Sequence, residues 1–520
     1  MGEKKRRLAA VEAATQSEAI SALRDLDRAL EAAPHSDVLW RRFGELIEAF
    51  SFLHPLHPRL RATLERALEH PAVDPRRLLR PITTAALSRP AGDVLGEPLL
   101  LRLMQDTIVR DPKVEAAIVA ERRRALEGAS LPLEALIAIA HQCFSTEYVF
   151  EETPAETAAV QALGSRLERD ADLALYAAYR PLHTLQNAAQ IAQRLAHSPL
   201  APLARRQILE PREEQRLAAD VQSLGISGNR VSAAVRAQYE ANPYPRWFRL
   251  QTSDAVPFIE TVRTLFPDVE AMRGAPRILV AGCGTGTSAV AFARQIADCS
   301  VLAVDLSLAS LAYAKRKTLE LGLTNLAYRQ GDILALGTMS ERFHLVDATG
   351  VLHHMEEPLA GWRVLAGLVE PGGFMRIGLY SERGRRHFER ARKITTALGL
   401  GPSLEGIRAA REAIRAAPVD ELLARVCVNE DFYSASGCRD MLFHVQERCF
   451  SLPQIAAMIG ELGLRFLGFE FDDGGLTAAG YRARFAGDPL MRQLDNWHRY
   501  EQENPDAFSR MYEFWLRKPA

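Results

Sequence analysis

Along the first 225 residues apolar positions recur every third or fourth residue, among many Ala, Leu, Arg and Glu. That period belongs to helices with one buried face, so the region predicts helix after helix. In SDVLWRRFGELIEAF, a helix start at Ser36 or Asp37 puts Leu39, Phe43, Leu46, Ile47 and Phe50 on one face. LPLEALIAIAHQCFSTEYVF is apolar nearly all round. It predicts the core helix of this region, with His141 and Cys143 as packed interior residues.

Near residue 275 the period changes. PRILVAGCGTG is a short apolar run ending in glycines, as a buried strand would be. Further strands are expected at VLAVD, LAYRQGD, FHLVDATG and GFMRIGLY. Helices are expected at Ser288 to Ala297, LASLAYAKRKTLELG and LAGWRVLAGLV. Strands alternating with helices predict an α/β fold with a Rossmann-like, doubly wound parallel sheet. After Tyr380 the alternation stops. A helix from Pro453 to Leu462 then leads into the strand LRFLGFEF, and MYEFWLRK predicts a last strand. The expected division is an all-helical domain (1–225), a lid or linker (226–255), the α/β core (256–381), a helical cap insertion (382–450) and the end of the sheet with a polar-aromatic insertion (451–520).

Composition narrows the classes. A chain of 520 residues, 48% hydrophobic and 25% charged, fits a soluble protein of more than one domain. A net charge of -1 gives no general pull toward nucleic acid or anionic membrane. Lys4 to Arg7 reads as a solvated end, and LAAVEAATQSEAI is too polar for a signal core. Arg6 stands where a myristoylation site at Gly2 needs Ser or Thr. No apolar run approaches the length of a membrane span. The six cysteines show no CxxC spacing, which suits free thiols in a reducing cytoplasm. Cys438, His444 and Cys449 match no common zinc pattern, so no metal is expected.

The chemistry lies at the strand ends. Gly282, Gly284 and Gly286 follow the first core strand and precede a helix, where glycine lets the chain turn and a ligand approach the backbone. Their GxGxG spacing differs from the dinucleotide GxGxxG, which disfavours a dehydrogenase. Asp305 ends the next strand and is placed to accept from two ribose hydroxyls; Asp332 follows the third. DATGVLHHM closes the fourth.

In order and spacing these residues resemble the class I S-adenosylmethionine-dependent methyltransferases over about 275–380. The resemblance implies that Gly282, Gly284 and Gly286, with Cys283, line the cofactor's methionine part. It implies that Asp305 with Leu306 holds the ribose and Asp332 with Ile333 the adenine. Asp347 and the segment Gly350 to His354 would face the methyl group and the acceptor. Two positions depart from the pattern, Val280 and His344, where acids are usual. QCFSTEYVF, YEANPYPRW, LFHVQERCF and WHRYEQENPDAFSRMYEFW also look like segments of bacterial methyltransferases with an N-terminal tetratricopeptide-like region. Pro34, Trp40, Phe43 and Gly44 match one degenerate repeat of that kind.

YEANPYPRW stands just ahead of the core. Its Asn-Pro-Tyr is similar to an amino-holding motif, but that motif belongs after the fourth strand, a place taken here by Asp347 to His354. A lid fits better. Prolines stiffen it, and Tyr239 and Tyr244 would cover the cofactor or the acceptor, with Arg246, contacting an acidic group, and Tyr380 touching the acceptor. The alternative is that these aromatics pack the helical domain against the sheet. Candidate bases are Asp347, His353 and His354. DFYSASGCRD and LFHVQERCF are polar and aromatic enough to line a pocket or to pack at the surface. The reading is a cytoplasmic methyltransferase using S-adenosyl-L-methionine, its acceptor a protein side chain or a small metabolite. A non-catalytic scaffold on the same fold is the alternative.

Overall fold

The computed structural model describes residues 20–90, 93–226, 228–250, 254–270, 274–418, 420–471 and 475–520. Gly2, Lys4 to Arg7 and LAAVEAATQSEAI, which ends at Ile20, lie outside them apart from that last residue, as do 251–253 of the expected linker and 473–474 of the last insertion. The chain divides into two compact units. One takes in the residues described up to Leu209, with 248–250 and Tyr433–Ala435; the other takes in the rest.

The first unit is helical throughout, as its apolar period requires. Ser36 caps the helix Asp37–Ile47 by accepting from the Leu39 N–H at 3.4 Å. Thr153 and Glu156 form a reciprocal capping box at Pro154–Leu163. In the helix Leu133–Ser145 every residue from Ala135 to Cys143 is buried, so it is the core element that its sequence suggests. His141 lies inside it, and burial lowers its pKa to about 3.

The second unit is built on eight strands: β1 (Gln222–Ser223), β2 (Arg277–Ala281), β3 (Ser300–Asp305), β4 (Leu326–Gln330), β5 (Phe343–Thr349), β6 (Val369–Leu379), β7 (Arg465–Phe469) and β8 (Tyr512–Arg517). Their order is β1-β4-β3-β2-β5-β6-β8-β7. Strands β1 to β6 run parallel, and β8 is antiparallel to both β6 and β7. Helices cover both faces. Ile278 and Val280 join one apolar cluster with Phe258, Val262 and Leu311. Leu279 and Ala281 join another with Trp362, Leu365 and Leu336. Burial on both faces explains why β2 reads as a continuous apolar run. The winding reverses between β2 and β5, and the crevice beyond their carboxyl ends is where such sheets bind ligands.

The cap insertion is helical as expected, with helices Arg386–Ala397, Leu404–Ala416, Glu421–Val428 and Ala435–Phe443. Two features lay beyond the sequence reading. The two-residue strand β1 is too short for a periodic signal, and the antiparallel pairing of β8 is decided by contacts more than 100 residues apart. No helix among the described residues is long and apolar enough to cross a membrane.

Candidate active site

A cavity of about 320 Å³ opens at the carboxyl ends of β2 to β5. Its floor is the glycine turn after β2. Gly282 has φ +73°, and a Cβ there would lie 2.3 Å from Val351 Cγ2. Gly284 has φ +52°, and a Cβ would lie 3.1 Å from the Tyr244 carbonyl oxygen. Both backbone shape and space therefore demand glycine.

Asp305 sits at the end of β3. Its Oδ2 accepts from the Gly284 N–H at 2.7 Å and its Oδ1 from the Ser307 N–H at 2.9 Å. Burial raises its pKa, while these N–H groups oppose the rise. Asp332 lies past β4, where its Oδ1 accepts from the Leu334 N–H at 2.9 Å and caps a short 3-10 turn. Asp347, on β5, accepts from Thr349 Oγ1 at 2.9 Å and from the Arg376 guanidinium at 3.2 Å. Arg376 also bonds Glu470 at 2.8 Å and Glu513 at 2.5 Å. Asp347 is thus held by a cation that two further acids share. Val280, one of the two departures, is a buried core residue that touches the cavity. His344, the other, accepts the Arg277 N–H at Nδ1 (3.0 Å) and ties β5 to β2.

The roof comes from residues ahead of the sheet. Asn229 caps the helix Arg230–Ala241 by accepting from the Val231 and Ser232 N–H groups, at 2.7 and 3.1 Å. Ser232, Val235 and Tyr239 of that helix line the cavity, followed by Tyr244 and Pro245. The Asn-Pro-Tyr-Pro segment is pinned over the glycine turn. Thr285 Oγ1 donates to the Pro245 carbonyl, and Trp247 Nε1 donates to the Thr285 carbonyl at 2.9 Å. Asn242 donates to the Gln238 carbonyl at 3.2 Å and does not line the cavity, so it is no amino clamp here.

At one end the wall is polar and buried. Tyr239 Oη donates to Asp440 Oδ1 at 2.6 Å. Tyr244 Oη donates to Asp431 Oδ1 at 2.5 Å. Burial raises the Asp431 pKa to about 7, although the Tyr244 hydroxyl pulls it down. His354 Nδ1 lies 2.8 Å from the Gln446 carbonyl oxygen, which can only accept, so Nδ1 carries the proton and Nε2 keeps its lone pair. His444 is the reverse. Its Nδ1 accepts the Gln446 N–H at 3.0 Å, so Nε2 carries the proton and meets Tyr239 Oη at 3.1 Å. The two imidazoles stack at 3.8 Å. His354, Asp440 and His444 lie close enough for a shared metal ion, their ligand atoms within 4.8 Å. The proton on His444 Nε2 instead reaches Tyr239 Oη, which donates to Asp440, while His354 bonds the Gln446 carbonyl.

The structure gathers most of the sequence candidates and separates a few. Gly282, Cys283, Gly284, Asp305, Leu306, Asp332 and Ile333 line the cavity. So do Tyr239, Tyr244, Asp347, His354 and Tyr380. Gly286 does not; a Cβ there would meet Ala314 at 2.7 Å, so it serves helix packing. Arg246 does not reach the cavity and lies 5.8 Å from the Tyr313 ring centroid. This corrects its expected acceptor contact. His353 is 0% exposed, stacks on Tyr380 at 3.7 Å and does not line the cavity. It cannot reach an acceptor as a base. Sequence reasoning missed Asp431 and Asp440 as individuals and weighed His444 only in a zinc pattern, although DFYSASGCRD and LFHVQERCF contain all three.

The cavity fits the cofactor that the glycine turn implies. The turn presents backbone without side chains, and carboxylates stand at three successive strand ends. Thr287 Oγ1 and Ser310 Oγ line the cavity as buried hydroxyls with no partner among the described residues. Such groups need a ligand or water to satisfy them.

A family model described as a methyltransferase domain matches residues 278–373. An uncharacterized protein of Synechococcus sp. is 28% identical over 303 residues, 55% of this chain and 72% of that one. A ubiquinone biosynthesis O-methyltransferase of Stutzerimonas stutzeri is 30% identical over 143 residues, 28% of this chain. The match spans 61% of that enzyme's length. Among solved structures, PKMT2 of Rickettsia typhi in complex with AdoHcy aligns at 16% identity and a TM-score of 0.40, covering 53% of this chain and 55% of that one. The matched segment runs from β2 through the glycine turn into β6, so this part of the chain is a methyltransferase domain.

Proposed function

We propose that the chain transfers a methyl group from S-adenosylmethionine to an acceptor held beside His354, with His354 as the general base. The observation that carries this reading is the fixed tautomer of His354. The Gln446 carbonyl holds the proton on Nδ1 at 2.8 Å, which leaves the Nε2 lone pair of a cavity-lining residue to take a proton. Burial lowers the His354 pKa, which keeps the ring neutral and ready to accept.

When bound, S-adenosylmethionine supplies a methyl group on a sulfonium. The glycine turn and Cys283 would receive its methionine part. Asp305 and Leu306 would hold the ribose, and Asp332 and Ile333 the adenine. Asp305 keeps lone pairs beyond the two N–H groups it already accepts, so it can take hydroxyl donors. Asp347, neutralised by Arg376, is a positioning residue rather than a base. Tyr239 and Tyr244 roof the cavity and exclude water. Tyr380 borders the acceptor. The working division adds to the helical region (1–225) and the core (256–381) a lid over 226–255 and a cap over 382–450. The six free cysteines suit a cytoplasmic site of action.

The test is methyl transfer from labelled S-adenosylmethionine into a cell extract, fractionated into protein, nucleic acid and small molecules. Label that needs His354 is expected in one fraction. Label independent of His354→Ala would overturn the base. No label in any fraction would favour a scaffold.

A further inference from the structure

The polar end of the cavity carries information about the acceptor. Among the described residues that line the cavity there are four aspartates, three tyrosines and one histidine, and no Lys or Arg. Asp305, Asp332 and Asp347 stand at the strand ends. Asp440 stands apart from them beside Tyr239 and His444, and it is 4% exposed. No Lys or Arg pairs with it among the described residues. Arg385 and Arg392 bond Glu447, at 2.6 and 2.9 Å, and Arg385 feels the Asp440 charge without bonding it.

The hydrogen-bond directions narrow the chemistry. Tyr239 gives its proton to Asp440 Oδ1 and accepts the His444 Nε2–H at 3.1 Å, so its oxygen keeps one lone pair for the cavity. Asp440 Oδ2 has no donor among the described residues. His354 Nε2 is a lone pair, because Nδ1 is bound to the Gln446 carbonyl. This end therefore presents acceptors: a carboxylate oxygen, an imidazole nitrogen and a phenol oxygen. A hydroxyl brings one donor and satisfies one of them. A carboxylate or phosphate brings none and meets the charge of Asp440. A primary ammonium brings three N–H donors, no acceptor, and the opposite charge. The neighbouring Tyr239 and Tyr244 rings add a surface that favours a cation.

We propose that the methyl acceptor is a basic amine, bound as its ammonium by Asp440 and Tyr239 and deprotonated by His354. This rests on the methyltransferase reading above. One N–H proton passes to His354 Nε2. The freed nitrogen pair forms the N–C bond to the methyl carbon, the C–S bond breaks, and its pair remains on sulfur. The products are a methylated ammonium, the neutral thioether and a proton that leaves through His354.

The test is equilibrium binding to the full chain saturated with S-adenosylhomocysteine. The probes are n-butylamine, n-butanol, butyrate and a short peptide with one internal lysine; zinc ion alone forms a further arm. The expected result is saturable binding of n-butylamine or the lysine peptide, or both, and of neither n-butanol nor butyrate. Binding of one alone tells a free amine from a protein-borne one. Asp440→Asn should weaken the amine about tenfold or more, the loss of one charge-assisted contact. Its affinity for S-adenosylhomocysteine should stay unchanged, which also reports that it is folded; Asp440→Glu should restore part of the amine affinity. Equal binding of n-butanol or butyrate, unchanged amine affinity in Asp440→Asn, or binding of zinc without any amine would overturn the proposal. Failure of the wild-type chain to bind S-adenosylhomocysteine would instead overturn the methyltransferase reading.

Discussion

His354 Nδ1 donates to the Gln446 carbonyl oxygen at 2.8 Å, and that bond decides which ring nitrogen is left to do chemistry. His354→Gln should lower kcat by about 10²- to 10⁴-fold, the range for loss of a general base. Binding of S-adenosylhomocysteine should not change. His353→Phe keeps a ring stacked on Tyr380 and should keep kcat within about threefold, since His353 does not line the cavity. Stopped-flow or initial-rate assays of the two variants separate the neighbouring histidines.

The pH profile follows from burial. Burial lowers the His354 pKa, while the Asp440 charge raises it in part. The base form is the neutral ring, so activity should hold as pH falls to 6.5 and decline only below it. Asp440→Asn removes the raising charge, so its acidic limb should move further down. A limb that moves up in Asp440→Asn would contradict this sign.

Asp431 gives a stability signal. Its folded pKa is raised to about 7, first by burial, against about 3.9 for a free aspartate. A raised folded pKa means the native state holds a proton that the unfolded chain releases. The stabilisation is full below the unfolded value and is lost as pH rises through about 7. Urea midpoints of the wild type should therefore fall between about pH 4 and 7. Asp431→Asn should flatten that slope.

Arg376 joins Asp347, Glu470 and Glu513 inside the unit. Arg376→Leu leaves the buried Asp347 without its cation and should cost about 3–5 kcal/mol, as removal of one partner of a buried ion pair does. Chemical denaturation measures it. The larger cost should appear at neutral pH, where the carboxylates are charged.

Much of the α/β unit was legible because a sheet covered on both faces writes its strands as apolar runs, as β2 does between Ile278 and Ala281. The glycine turn and the acids at strand ends were legible because spacing fixes them. The acceptor end was not. Asp440 and His444 meet Tyr239 across about 200 residues, and no local period records such a contact. His353 and His354 look equivalent in sequence. Only the packing shows that one ring is closed in and the other opens on the cavity.

The most direct measurement is calorimetric titration of S-adenosylmethionine into the full chain and into Asp305→Ala. One saturable site is expected in the wild type, weakened about 10- to 100-fold in the variant by loss of the carboxylate that accepts the ribose donors. No binding to the wild-type chain, or equal affinity in the variant, would contradict the assignment of this cavity.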